Sequence, residues 1–447
     1  MARTAGWLMT ELLDALSAAA RAAARPQRFG QVTQMVGMSI EVVGIPAAIG
    51  EGLVLLPPHQ RIYAEVVAIH DDRVVCLALG ETTGIRVGTR VTSLGGPLPV
   101  RVGPGLLGRI LDGLGRPIDG GPAMMGVDVS VAGTPPHPLR RGLVREQLPL
   151  GVRVLDGLIP CGKGQRLGIF AGSGVGKSSL MSMIARGTSA DVTVVALIGE
   201  RGREVAEFIE RDLGPEGLAR AIVVVATSDA PAVMRIRAAF TATRIAEWFR
   251  DQGRDVVLMM DSVTRFAMAQ REVGLAAGEP PATRGYPPSV FGLLPRLLER
   301  AGLGERGSIT GLYTVLVEGD DMNEPIADTA RSILDGHVQL SRALAEANHF
   351  PSVDVLGSIS RVAPAVATPE QLAAGGDVRE LLAAWRDSKD LIEIDAYVAG
   401  TNPVVDRALK LKPAIDAYCK QSMDERSELK VARDALVALV SAQGGAA

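Results

Sequence analysis

The chain has 447 residues, of which 47% are apolar and 22% are charged, so it is too long for one ordinary core and too balanced in composition to be disordered. Its 47 Lys and Arg residues face 50 Asp and Glu residues, and this balance gives no reason to expect a nucleic acid as the main partner. The three cysteines lie far apart, in no spacing typical of zinc sites or disulfide frameworks, and indicate core residues in a reducing cytoplasm. No apolar run approaches the roughly 18 residues needed to cross a bilayer.

The first predicted element is an amphipathic helix at residues 4–25, within an N-terminal segment 1–27. Leu8, Leu12 and Leu16 share one face of this helix, while Glu11 lies off it. Pro26 ends the helix. Two interpretations stay open, because such a narrow apolar stripe either packs on its own protein or binds a partner.

Residues 28–95 predict a small antiparallel β-barrel with a structural or assembly role. Short runs rich in β-branched residues occur at 40–45, 62–69 and 74–79. The second and third runs are joined across Asp71 and Asp72, a predicted hairpin turn. A Pro- and Gly-rich segment at 96–142 then predicts a linker with little regular structure.

Residues 143–365 predict an α/β domain with a mainly parallel sheet covered by helices on both faces. Buried-strand runs at 166–170, 192–197, 222–226, 256–260 and 310–316 alternate with helical stretches. Residues 366–447 predict a third, α-helical domain, with helical segments around 378–385, 404–409 and 423–439.

A phosphate-binding loop follows the first of these strands and precedes a helical run, which is the context that a P-loop requires. Its glycines let backbone N–H groups converge on phosphate oxygens, and the helix N-terminus adds its positive dipole end. Lys177 then neutralises the β- and γ-phosphates of a nucleotide, while the Ser178 hydroxyl ligates Mg²⁺. The predicted nucleotide-binding residues are Ala171, Gly172, Ser173, Gly174, Val175, Gly176, Lys177, Ser178 and Ser179.

Carboxylates end two further strands of the predicted sheet. Asp261 ends the run 256–260, so at the same sheet edge it can hold Mg²⁺ through water. Glu200 follows the run 192–197, inside the charged sequence GERGRE, and can orient the water that attacks the γ-phosphate. Taken alone, each feature is commonly structural, as an ordinary strand end or a solvated ion-pair cluster.

Together these segments resemble the catalytic subunits of rotary ATP synthases and their relatives, the type III secretion ATPases. The resemblance covers nearly the whole chain and rests on AGSGVGKS, LIGERGREVAEFIE, VLMMDSVTRFA, GEPPATRGYPPSVF, VLVEGDDMNEPIAD, RSILDGH and SISRV. The fourth and fifth segments favour the protein-export branch, and the P-loop with the N-terminal region favours its flagellar members. The resemblance implies a RecA-like P-loop domain between an N-terminal β-barrel and a C-terminal helical domain.

The resemblance also implies roles for individual residues in a homohexamer that hydrolyses MgATP. Glu200 would polarise the attacking water, Arg201 would contact the γ-phosphate, and Glu204 would lie in the outer shell of the Mg²⁺ ion together with Asp261. Arg361 would reach into the site of a neighbouring subunit. Without the resemblance, Arg361 indicates only a surface ion pair.

Two aromatic residues complete the nucleotide pocket that the resemblance implies. Phe350, in the segment NHFPSVD, matches the aromatic residue that lies on the adenine ring, and Tyr418 would close the pocket from the helical domain. On residue type alone, Phe350 is equally explained as a core aromatic.

The partners implied are a regulatory, stalk-like protein at the N-terminal helix, components of the export gate, and complexes of export chaperones with their cargo. The implied location is cytoplasmic, at the inner face of the membrane, where the N-terminal helix can touch acidic lipid. Alternatives are an injectisome ATPase, an ATP-synthase catalytic subunit and a non-catalytic nucleotide-binding subunit; Glu200 counts against the last. A RecA-like nucleic-acid motor would need aromatic residues in its barrel, where residues 29–95 offer only Phe29 and Tyr63.

Overall fold

The computed structural model of the chain describes residues 28–441 except 318 and 320, so the helix predicted at 4–25 lies outside the described residues. The described chain divides into two units, with the boundary between Pro97 and Leu98. The first unit holds the barrel, and the second holds the sheet and the C-terminal helices. The three-part architecture predicted from the sequence is confirmed.

The first unit is a closed antiparallel barrel in which neighbouring strands follow the order β1-β2-β5-β4-β3-β6. Alternate residues such as Ile40 and Val42 point into its core, which is the period-two pattern of a strand with one buried face. The predicted turn at Asp71 and Asp72 joins β4 to β5, with Asp71 in the left-handed region at a φ of 51°. The strands are β1 (Gly30–Val36), β2 (Ser39–Val43), β3 (Gly52–Leu56), β4 (Ile62–His70), β5 (Arg73–Ala78) and β6 (Arg90–Ser93).

The segment predicted as a linker at 96–142 has more regular structure than its Pro- and Gly-rich composition indicates. Its strands β7 (Pro99–Val102) and β9 (Val127–Ser130) form a two-stranded ribbon. Between them, β8 (Ile110–Asp112) pairs in parallel with the strand at Ala221–Ala226 and extends the main sheet. A three-residue strand carries little sequence signal, because its hydrogen-bond partners are supplied by a strand more than 100 residues further along the chain.

The second unit is built on a sheet with the order β17-β16-β10-β15-β13-β11-β12-β8. Its strands are parallel except that β17 runs antiparallel to β16, and that the short β14 pairs antiparallel with β15. The P-loop strand β10 therefore lies inside the sheet, between β16 and β15. These strands are β10 (Arg166–Ala171), β11 (Val192–Ile198), β12 (Ala221–Ala226), β13 (Asp255–Asp261), β14 (Gly302–Leu303), β15 (Ser308–Leu316), β16 (Gly336–Leu340) and β17 (Val353–Ser360).

Both faces of this sheet are buried, as a continuous apolar run predicts for a parallel strand. In β11, Val195 and Leu197 belong to one hydrophobic cluster, whereas Val194 and Ala196 belong to the cluster on the opposite face. The helices that follow the strands are α1 (Arg153–Leu158), α2 (Lys177–Gly187), α3 (Gly202–Glu207), α4 (Gly214–Ala219), α5 (Ala232–Asp251), α6 (Val263–Ala276), α7 (Pro288–Leu298), α8 (Pro325–Ile333), α9 (Arg342–Glu346) and α10 (Ala363–Val366).

Three helices end the described chain: α11 (Pro369–Glu393), α12 (Pro403–Cys419) and α13 (Leu429–Ser441). They pack on the same sheet face as α1 and α2 through a shared hydrophobic cluster. The loop between α12 and α13 also contacts α2, because Arg186 donates to Met423 O at 2.6 Å. Within residues 28–441, apart from the two undescribed positions, no helix combines the length and hydropathy of a membrane span.

Candidate active site

The P-loop lies where β10 ends at Ala171 and α2 begins at Lys177. Gly174 and Gly176 have φ values of 77° and 91°, in the left-handed region that favours glycine. A methyl group built on Gly174 would meet no atom within 4 Å, so this part of the loop backbone faces open space. The loop thus leaves room for phosphate oxygens at the N-terminus of α2.

Lys177 lies between two carboxylates that come from different strands. Its Nζ atom pairs with Asp261 Oδ1 and lies 3.5 Å from Glu200 Oε1. All three side chains are 12% exposed or less. Asp261 Oδ1 also accepts a hydrogen bond of 2.7 Å from the Thr314 hydroxyl. Because β10, β15, β13 and β11 are successive neighbours, their carboxyl ends bring these residues together at one sheet edge.

The pKa of Glu200 departs strongly from the ordinary value of a glutamate. Burial raises its pKa to about 7; Lys177 opposes this shift, while Asp261 and a hydrogen bond with Glu204 add to it. Its Oε1 atom is buried and makes no hydrogen bond within the described residues. A buried carboxyl group that exchanges a proton near neutral pH can orient a water molecule and accept its proton.

Two other predicted residues lie at the rim of this site. Arg201 is 79% exposed, and the contact found for it is an ion pair of 3.7 Å with Glu204. The structure therefore does not bring Arg201 against Lys177, and its γ-phosphate contact stays a prediction. Glu204 is half exposed on α3, beside Glu200.

Arg265, in the first turn of α6, is a candidate active-site residue that was not predicted from the sequence. Its Nε atom is buried and has no hydrogen-bond partner within the described residues, and its positive charge acts on Glu200. Its side chain also packs beside Gly199, where an added methyl group would lie 3.0 Å from Arg265 Cβ. The available signal was an arginine four residues after the candidate metal carboxylate Asp261, in a stretch with no other charged residue.

The two aromatic residues predicted to contact adenine lie in different surroundings. Phe350 is 39% exposed and lies beside the P-loop, because a methyl group built on Gly176 would be 3.3 Å from its Cε1 atom. Tyr418 is only 6% exposed, and its hydroxyl donates to the carbonyl oxygens of Ala432 and Arg153 at 2.9 and 3.3 Å.

The assignment of Tyr418 to the nucleotide pocket stays a prediction, because in this structure the side chain is packed between helices. Its ring fills the space left by Gly157, where even a methyl group would overlap the Tyr418 hydroxyl. The ring is thus used to pack α12 against α1 and α13, and it offers no open face to a base.

Arg361 lies at the sheet edge opposite the P-loop of its own chain. It follows β17, which is antiparallel to β16, and its backbone N–H donates to Asp335 O beside the start of β10. Five residues of β10 separate that point from Ala171, about 17 Å at the rise of a strand. The exposed Arg361 guanidinium donates to Arg331 O at 3.3 Å and does not reach the P-loop of its own chain.

The oxygen donors around the P-loop fit a Mg²⁺ ion. Ser178 is exposed in the first turn of α2, and Asp261 and Glu204 supply carboxylate oxygens beside Lys177 and Glu200. Hydroxyl, carboxylate, water and phosphate oxygens are the ligands that Mg²⁺ prefers. The metal would therefore be held jointly by the protein and the nucleotide.

Three family models match consecutive parts of the chain. The beta-barrel domain of the ATP synthase alpha/beta family matches residues 32–95, and the nucleotide-binding domain of that family matches residues 151–360. The T3SS EscN ATPase C-terminal domain matches residues 367–438. These ranges follow the barrel, the sheet and the C-terminal helices described above.

Curated relatives come from two groups of similar identity. The chain is 52% identical to the flagellum-specific ATP synthase of Bacillus subtilis, over 92% of this chain and 95% of the relative. It is 50% identical to the type 3 secretion system ATPase of Xanthomonas euvesicatoria, over 90% and 91%. The flagellum-specific ATP synthase of Salmonella typhimurium is 47% identical, over 92% and 93%.

Solved structures give the same comparison in three dimensions. The assembled ATPase EscN of the enteropathogenic E. coli type III secretion system superimposes with a TM-score of 0.88 at 47% identity, over 92% of this chain and all of EscN. EscN in complex with its central stalk EscO gives a TM-score of 0.86 at 46% identity, with the same coverage.

Proposed function

Since this chain belongs to the ATP synthase alpha/beta family, in the group of flagellum-specific ATP synthases and type 3 secretion system ATPases, we propose that it hydrolyses MgATP in a homohexameric ring to energise the export of flagellar proteins. Membership in this group confirms the resemblance inferred from the sequence and the prediction of a nucleotide-binding ATPase. The ring, the flagellar cargo and a place at the inner face of the membrane are parts of the proposal.

The observation that supports ATP hydrolysis is the buried cluster of Lys177, Glu200 and Asp261 beside a P-loop. A purely structural ion pair needs one carboxylate for one ammonium group, yet here two carboxylates converge on Lys177, and burial leaves one oxygen of Glu200 without a hydrogen bond. A nucleotide-binding protein without hydrolytic activity has no use for that second carboxylate. The arrangement therefore supports catalysis as well as binding.

Each charged residue of the cluster has a separate role in the reaction. Lys177 holds the β- and γ-phosphates and neutralises charge that develops during transfer. Glu200 orients water for in-line attack and accepts its proton as the oxygen–phosphorus bond forms, while the bond from the γ-phosphorus to the bridging oxygen breaks and ADP leaves. Mg²⁺, held through Ser178 and through water by Asp261 and Glu204, would neutralise the phosphate oxygens.

Arg361 supports the proposal of a ring, because its own P-loop is out of reach. An arginine placed at the opposite sheet edge can stabilise the transition state only in the site of a neighbouring copy. Each active site would then need the P-loop of one subunit and the Arg361 guanidinium of the next.

The flagellar assignment has one alternative that specific observations favour. Identities of 50% and 52% to the secretion and flagellar relatives do not separate the two groups, and the C-terminal helices match a model of a secretion ATPase. The second candidate function is therefore the energising of injectisome secretion.

A gene deletion separates these functions. We expect a deletion strain to lose flagellar filaments and to regain them with the wild-type gene, but not with a Lys177→Ala gene. Loss of injectisome secretion with intact filaments would establish the alternative. Intact filaments and intact secretion would refute both assignments while leaving the ATPase activity of the purified chain as a separate question.

A further inference from the structure

His349 is a buried histidine whose polar atom the fold does not satisfy. The residue is 7% exposed, and its Nε2 atom has no hydrogen-bond partner within the described residues. Burying an unpaired nitrogen costs stability that an apolar residue of similar volume would not cost. The fold therefore retains a polar ring where packing alone would favour leucine.

The turn that carries His349 is held in one conformation by the backbone. Asn348 has a φ of 52°, in the left-handed region, and the His349 N–H donates to Leu344 O at 2.9 Å. This turn follows α9 and leads directly into Phe350. The buried His349 ring and the exposed Phe350 ring are therefore attached to neighbouring positions of one constrained turn.

The groups of α12 and its C-terminal end act on His349. The carboxylate of Asp416 attracts a proton to its ring, whereas the ammonium groups of Lys412 and Lys420 repel one. Burial is the largest influence and lowers the pKa of His349, which favours the neutral ring. Lys412 and Asp416 also pair with each other at 2.6 Å, which fixes the charges on this side of the ring.

The helical domain also reaches Phe350 itself. The Gln421 N–H, just beyond α12, donates to Phe350 O at 3.0 Å. On its other side, the Phe350 ring lies beside Gly176 of the P-loop. Residues 348–350 are thus a junction between α12 and the nucleotide site.

We propose that His349 is a positioning residue, which seats the turn 348–350 against α12 and so sets the place of the Phe350 ring where the nucleobase stacks. This inference rests on the proposed role of Phe350 in the nucleotide site. His349 acts on the base through Phe350 and has no part in phosphate binding.

The test compares two ligands in the full-length protein, MgATP and magnesium tripolyphosphate, which has no base. Their affinities are measured by calorimetry for wild type, His349→Leu, Phe350→Ala and the double variant. We expect Phe350→Ala to weaken MgATP about tenfold, as the loss of a base-stacking aromatic does. His349→Leu should weaken MgATP about fivefold, a coupling typical of residues in contact, and leave tripolyphosphate unchanged.

The double variant gives the decisive result. If His349 acts through Phe350, the double variant binds MgATP no more weakly than Phe350→Ala alone. Full additivity of the two losses in MgATP affinity would overturn the inference. An equal loss of affinity for both ligands in His349→Leu, or an unchanged MgATP affinity in that variant, would also overturn it. An unchanged MgATP affinity in Phe350→Ala would instead refute the proposed role of Phe350.

Two further variants guard against a merely structural effect. His337→Leu replaces a half-buried histidine of β16 that contacts Phe170, and it should leave the affinity for both ligands unchanged. If His349→Leu lowers the melting temperature so far that it cannot be measured, His349→Asn takes its place in the same cycle, with the same expected and contradicting results.

Discussion

Replacing Glu200 by glutamine should make the protein more stable while it removes hydrolysis. The pKa of Glu200 is raised from the usual 4.5 to about 7, so the folded state holds this carboxyl group in its protonated form more readily than the unfolded chain does. The stabilising effect of protonation is complete below pH 4.5 and is lost as the pH rises through 7. Above pH 7 the wild type therefore keeps an unfavourable buried charge that glutamine does not have.

The size of this gain in stability follows from the pKa shift of Glu200. The difference between 4.5 and about 7 corresponds to about 3 kcal/mol, and the remaining solvent exposure of the carboxylate reduces it to about 2 kcal/mol. For a unit of this size, we expect a rise in melting temperature on the order of 3 °C at pH 8. The turnover number should fall by about 10² to 10⁴, the contribution of a positioned general base.

The assay is thermal unfolding of the nucleotide-free protein between pH 4.5 and 8, with wild type and Glu200→Gln measured in parallel. The stabilisation by glutamine should grow across this range and be absent at its acid end. Glu207→Gln, at an exposed ion pair on α3, is the control and should show no such trend. A variant that is less stable than wild type at pH 8, or a difference that does not change with pH, would refute the reasoning.

Three other changes test the rest of the site. Lys177→Ala should abolish MgATP binding as well as turnover, because it removes a fixed positive charge from the phosphates; calorimetry with wild-type affinity would contradict this. Arg361→Ala should bind MgATP normally and hydrolyse it about 10³ to 10⁵ times more slowly. Mixed rings with Lys177→Ala subunits should regain measurable activity, and mixed rings that stay inactive would exclude a role of Arg361 between subunits. Tyr418→Phe should lower the free energy of unfolding by about 1 kcal/mol, since its hydroxyl donates to two backbone carbonyls, and leave the KM for ATP unchanged; a large rise in KM would support its place in the nucleotide pocket.

Local signals were sufficient for the parts of the site that belong to one continuous segment. The P-loop is read from its glycines, Lys177 and Ser178, and the sheet is read from runs of β-branched residues. Asp261 and Glu200 could be placed at the same edge because parallel strands end on one side of a sheet.

Features that depend on neighbours in space could not be predicted in this way. Whether Arg265 faces Glu200 depends on the order of the strands, which the sequence does not state. Tyr418 is buried because Gly157 leaves room for its ring, and that pairing joins residues more than 250 positions apart. His349 likewise has no sequence signal of its own, because neither its burial nor its unpaired nitrogen is evident before the chain is folded.

The antiparallel direction of β17 has a consequence for when ATP is hydrolysed. It gives each subunit two incomplete half-sites at opposite edges of one sheet, a P-loop at one edge and Arg361 at the other. Copies joined head to tail match one half-site with the next, and a closed ring leaves none unmatched. If Arg361 acts between subunits, a dispersed pool of this protein hydrolyses almost no nucleotide however abundant it is. ATP consumption is then confined to assembled rings, and each new subunit becomes an active enzyme only on finding its neighbours.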